Sequence, residues 1–135
     1  MKVENHRAKA ERIERTLAKL APRDYEMRVE GAMLAANHYA NMALHILGLA
    51  PEERDIIHTE FMLVMDYRRF AAAAEKLLEA LEGIEELRAP FVRGAVPDGV
   101  AAGVRALELL GVVRGEAARI RPLGFPIVNY VPKTR

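Results

Sequence analysis

The sequence predicts an all-α protein, an up-and-down bundle of four to five helices with an irregular or hairpin-like C-terminal extension. Three observations carry that expectation. Apolar residues recur at steps of three and four in several segments, Pro and Gly stand where helices start and stop, and 51% of the 135 residues are hydrophobic, enough for one core.

The first helix is predicted from Ala10, Ile13, Leu17 and Leu20, an apolar stripe on an otherwise charged segment that Pro22 ends. Asp24 is placed to cap a second helix, which runs to about Leu47 and closes at Gly48, the residue that most readily takes the left-handed conformation after a helix. Pro51, Glu52 and Glu53 suit the first turn of a third helix. A break near His58 to Asp66 would separate it from a fourth, whose stripe is Phe70, Ala74, Leu77, Leu81, Ile84 and Leu87. Gly94, Pro97 and Gly99 mark a loop, Asp98 is a candidate cap, and a fifth helix would bury Val100, Val104, Leu107 and Leu110 and end at Gly111. Beyond it, Val112 with Val113 and Ile127 with Val128 are β-prone, which predicts an extended or hairpin-like tail. Residues 1–95 thus form the expected bundle core, and residues 96–135 a fifth helix and basic tail packed on the same domain.

Composition removes several function classes. With no cysteine, disulfides, thiolate metal clusters and thiol nucleophiles are excluded, and the polar, charged stretch from Met1 to Lys9 lacks the apolar run of an export signal, so the expected location is the cytoplasm. Gly31 to Pro51 contains no Asp, Glu, Lys or Arg, yet Asn37, His38, Asn41 and His45 make it a buried bundle helix and not a membrane span. The net charge of +1 conceals a polarity: residues 1–87 carry 12 basic and 16 acidic side chains, residues 88–135 carry 8 and 3. The basic end permits contact with phosphate or an acidic partner.

On a helical wheel Glu30, Asn37, His38, Asn41 and His45 fall within one arc of about 100° of the second helix. A solvated stripe would hold Lys, Glu and Arg, whereas amides and imidazoles, each donor and acceptor at once, suit a half-buried polar surface. That surface reads as internal hydrogen bonding at a helix or dimer contact, or as a groove for a ligand or nucleic acid. Metal binding is disfavoured, because His38 and His45 are about 10 Å apart along the axis, too far to ligate one ion, and no metal or cofactor is expected. The uncharged surface from Gly31 to Pro51 predicts a homodimer. His6 is expected in a frayed terminus, and His58 near a helix break.

The charged first helix, the segment "YANMALHILGL" and the later "YRRFAAAAEKLLEALEGIEELRAPFVRG" resemble the HEPN superfamily of small prokaryotic helical bundles, over about residues 3–95. The resemblance implies a bundle that often dimerises and works with nucleotides or RNA, either as a ribonuclease or as the partner of a minimal nucleotidyltransferase. Catalytic members space an Arg and a His more widely than the three residues between Arg54 and His58. The leading expectation is therefore a non-catalytic, dimeric binding or regulatory subunit, with nucleotide or nucleic acid as ligand. The enzyme alternative is a metal-independent ribonuclease with His58 as general base and Arg54 stabilising the transition state. A second alternative is a winged-helix-like nucleic-acid binder built on residues 100–121, with Arg114, Arg119 and Arg121 on phosphates.

Overall fold

The computed structural model describes residues 1–57, 59 and 62–123. Among these residues it contains four α-helices, α1 (Val3–Leu17), α2 (Tyr25–Leu47), α3 (Val64–Arg88) and α4 (Val100–Arg119), with a π-helical turn, Ala89–Arg93, after α3. No strand occurs among the described residues.

The helices alternate in direction. Leu17 lies over Gly31 while His6 reaches His38, so α1 and α2 are antiparallel. Glu30 near the start of α2 pairs with Arg88 at the end of α3, and Gly103 near the start of α4 lies against Tyr25 at the start of α2, which makes those two helices parallel. Phe70, Leu44, Leu77, Ile84, Val29 and Val113 are the largest apolar side chains sealed from solvent, and they bring α2, α3 and α4 into one core.

Gly48 ends α2 as expected, at φ 75°, with its own N–H on the His45 carbonyl and the Leu49 N–H on Leu44. Asp24 occupies the expected position but turns backwards: its Oδ2 accepts from the Ala21 N–H at 2.8 Å, closing the interhelical turn without capping α2. Much of the uncharged segment that suggested a dimer packs inside one chain, while Leu34 is exposed. Ala32, Met33, Ala35, Ala36, Tyr39, Ala40, Met42, Ala43 and Leu44 are all buried there.

Two expectations on helix boundaries are corrected. The third helix expected from Pro51 does not form; residues 51–57 are turn and irregular chain, and the Asn41 side chain of α2 satisfies both backbone groups of Ile56 that a helical ladder would have used. Gly111 does not end α4, which continues through Val112 and Val113 to Arg119, leaving no wing within residues 100–121. Burial of Leu109, Leu110, Val113 and Ala117 along one continuous stripe outweighs the ~1 kcal/mol that a glycine costs a helix.

The buried face of α4 is also rotated from the expected one. Ala102, Ala106, Leu109, Leu110 and Val113 point inward, whereas Val100 and Val104 are exposed. Small residues decide this: a Cβ on Gly103 would stand 3.3 Å from the Tyr25 Cα, so α4 sits close against α2 on its alanine and glycine side. At Gly99 the approach is tighter still, since a Cβ there would lie 2.7 Å from Tyr25 Cε2 and 2.9 Å from Phe91 Cδ1. Gly99→Ala is expected to destabilise the fold by ~1–3 kcal/mol through overpacking, measured as a lower urea midpoint at unchanged m-value.

Candidate metal centre

The site is assembled by α2. Asn41, 4% exposed, presents its amide edge to the backbone of Ile56: Nδ2 donates to the Ile56 carbonyl at 2.7 Å and Oδ1 accepts the Ile56 N–H at 2.6 Å. The same Nδ2 also donates to the Asn37 carbonyl one turn back at 2.9 Å. One side chain thus does for Ile56 what a neighbouring strand would do, and the preceding residue, Asp55, is carried to the next turn of α2.

There it meets His45. The His45 Nδ1 donates to the Ala50 carbonyl at 3.0 Å, and Nε2 lies 2.9 Å from Asp55 Oδ1. From α1, His6 places its Nε2 2.9 Å from the same carboxylate oxygen, and its Nδ1 2.9 Å from His38 Nδ1. The His6 ring stands at 5.2 Å, centroid to centroid, from each of His38 and His45. The Met1 amino group is 3.3 Å from Asp55 Oδ1 and also bonds the Glu52 carbonyl.

The ring nitrogens and the carboxylate form a set with restricted proton arrangements. A carbonyl only accepts, so His45 Nδ1 carries a proton, and the neutral ring then has a lone pair on Nε2, facing a carboxylate. The same follows for His6 when its Nδ1 donates to His38. Two lone pairs and a carboxylate oxygen aimed at one another are stable only with protons, or a cation, between them. Burial holds the His6 ring below the ordinary imidazole range, against the opposing pull of Asp55, and holds His38 below it too, so both rings are neutral at pH 7. Burial pushes the Asp55 carboxyl up, but in the absence of an ion protons on the Nε2 atoms of His45 and His6 make hydrogen bonds to it, and these with the Met1 amino group leave it below its usual value, ionised; an ion would take the place of those protons. Neutral imidazole and ionised carboxylate are the forms that bind metals.

His6 Nε2, His45 Nε2 and Asp55 Oδ1 all lie within 4.8 Å of one another. Donors on a tetrahedral ion with bonds of ~2.0–2.1 Å stand ~3.3 Å apart, between the 2.9 Å contacts and that limit, so the two contacts with Asp55 would open by a few tenths of an ångström to admit one. The second partners fit the same use: a ligating histidine ordinarily donates its other N–H to a carbonyl or similar acceptor, the role of Ala50 for His45 and of His38 for His6.

The expected polar stripe divides. His38, Asn41 and His45 join the centre; Asn37 is half-buried and contributes its backbone carbonyl; Glu30 instead makes a two-point pair with Arg88, at 3.0 and 3.1 Å. The two histidines separated along the helix do not converge on one point, since His38 turns to His6 and only His45 faces Asp55. Arg54 is exposed on the loop, and His58 lies outside the described residues. Arg114 pairs with Glu14, Arg119 with Glu116 at 3.3 Å, and Arg121 bonds the Ala118 and Ile120 carbonyls, so each of the three expected phosphate ligands has a contact within its own chain.

His6 and Asp55 are the members of this centre that the sequence reading missed. His6 had a signal: it stands four residues before Ala10 and so extends the stripe of α1 inward, and it is 1% exposed. Asp55 had none, being one of several charged residues in a short loop. Set against family models, curated proteins and solved structures, the chain matches none of them.

Proposed function

We propose that the chain is a binding subunit whose ligand is a single divalent transition-metal ion, held by His6 and His45 through Nε2 and by Asp55 through Oδ1. The observation that supports this most is the pairing of two buried imidazoles with one carboxylate oxygen, each ring having its far nitrogen engaged by a separate partner. The donor set narrows the ion. Two nitrogens and one oxygen without sulfur suit Zn²⁺ and its neighbours Co²⁺, Ni²⁺ and Fe²⁺; Cu⁺ wants thiolate or thioether, and Mg²⁺ and Ca²⁺ want oxygen throughout.

The ligands come from the first turns of α1, the last turns of α2 and the loop after it, so an ion would tie three segments together and bind the folded chain far better than the unfolded one. Calorimetric titration of metal-free protein with Zn²⁺ tests the reading. One ion per chain is expected, and at a free concentration a hundred times Kd the fold should gain ~2.7 kcal/mol, seen as a raised Tm. Absence of both binding heat and thermal shift would contradict it.

A further inference from the structure

We propose that the flank where α1 and α2 meet solvent side by side docks on an anionic lipid surface. It would lie on the bilayer without crossing it, since no described helix is long and apolar enough to span one, and it is independent of the ion. Lys9, Arg12, Thr16 and Lys19 recur at steps of three and four and so form one row along α1, ~15 Å from first to last. All four are exposed, and among the described residues none of the three cations enters an ion pair. The carboxylates of α1 are elsewhere. Glu11 and Glu14 line a cleft with Arg114 of α4, and Glu4, two turns before Glu11, shares their side. Glu52 and Asp55 gather at the Met1 end, where Met1 contacts both.

A second row runs beside the first on α2. Leu17 over Gly31, Arg28 on the Leu20 carbonyl and His6 against His38 fix the antiparallel register, which sets Met27 near the level of Lys19 and Leu34 near that of Arg12. Leu34 stands one turn before His38, the ring that burial, His6 and then the charges of Lys9 and Arg12 hold down, so both cations lie on its side of the helix pair. Met27 is 60% exposed and Leu34 49%, while Glu30 between them is held by Arg88 of α3. Cations beside large exposed apolar side chains suit a bilayer surface: the apolar groups enter the boundary of headgroups and acyl chains, and Lys and Arg reach the anionic headgroups on their long stems. Nucleic acid fits the cations and not their neighbours. Single strands are held by aromatic stacking, and neither row carries Phe, Tyr or Trp; a duplex backbone is met by polar and charged groups, so Met27 and Leu34 would lie against phosphate.

The test is co-sedimentation of the full chain with vesicles of phosphatidylcholine alone and of equal parts phosphatidylcholine and phosphatidylserine. Partition to the mixed vesicles should exceed that to the neutral ones by roughly tenfold at low salt and fall as salt is raised. Lys9→Glu combined with Arg12→Glu should lower it about tenfold, and Leu34→Gln, which leaves every charge in place, about threefold, with circular dichroism showing that each variant folds. Equal partition to the two vesicle types, or no loss in the double variant, overturns the proposal. Duplex RNA bound more tightly than the mixed vesicles, with Leu34→Gln indistinguishable from the parent, also overturns it and assigns the row to nucleic acid.

Discussion

His45→Ala should lower zinc affinity by ~100-fold or more, beyond the 10–100-fold that follows from losing an outer-shell partner of a metal ligand. The residue has two duties. Its Nε2 faces Asp55 Oδ1 and would be a direct ligand, while its Nδ1 holds the Ala50 carbonyl and so helps fix the loop that carries Asp55. Truncation removes the donor and leaves the Ala50 carbonyl short of a partner beside a buried side chain, for which ~1–3 kcal/mol of stability is expected to go in the metal-free protein as well. His38→Ala separates the two roles. It leaves all three ligand atoms in place and removes only the acceptor behind His6, so its affinity should fall by ~10–100-fold, less than for His45→Ala. Equal losses for the two variants would mean that His45 is no nearer to the ion than His38.

Asn41→Ala should be the most destabilising change at the centre that touches no ligand, by ~2–4 kcal/mol. It strips partners from both backbone groups of Ile56, at 2.6 and 2.7 Å in the native fold, and alanine offers nothing in exchange. Because Asp55 is the residue before Ile56, the same change releases the carboxylate from its place over His6 and His45, and zinc affinity should drop with stability, by ~10–100-fold. Urea unfolding of the metal-free variant measures the first effect and a zinc titration of its folded fraction the second. A variant within ~0.5 kcal/mol of the parent would show that other contacts hold the loop.

The fold was legible in the sequence where burial follows a period. The stripe of Leu77, Leu81 and Ile84 in α3, the wide apolar arc of α2 and the left-handed stop at Gly48 are local patterns, and each appears in the structure as read. What failed was phase and extent where two faces competed. In α4 the larger side chains Val100 and Val104 drew the eye, yet the alanine and glycine face won because it permits closer packing against Tyr25. Likewise residues 51–57 carry helix-start chemistry in Pro51, Glu52 and Glu53, but a side chain fifteen residues upstream supplies the hydrogen bonds that keep Ile56 irregular, an arrangement with no local signature.

The centre shows the same division. That His38, Asn41 and His45 are turned from solvent and hydrogen-bonded could be argued from their neutrality on one helix face. The distance between His38 and His45 argued against a metal only for ligands drawn from α2, whereas the converging groups come from three segments. Treating His6 as part of a frayed end hid the first of them, and the loop gave no means of telling Asp55 from Glu52 or Glu53.

The central claim is that His6, His45 and Asp55 share one ion, and anomalous diffraction recorded at the zinc absorption edge from crystals grown with Zn²⁺ tests it most directly. The expected result is one strong peak per chain, ~2.0–2.2 Å from His6 Nε2, His45 Nε2 and Asp55 Oδ1, with the His45 Nδ1 bond to Ala50 retained. A chain without a peak there, its His6 and His45 rings still bonded directly to Asp55 in the presence of zinc, would contradict it.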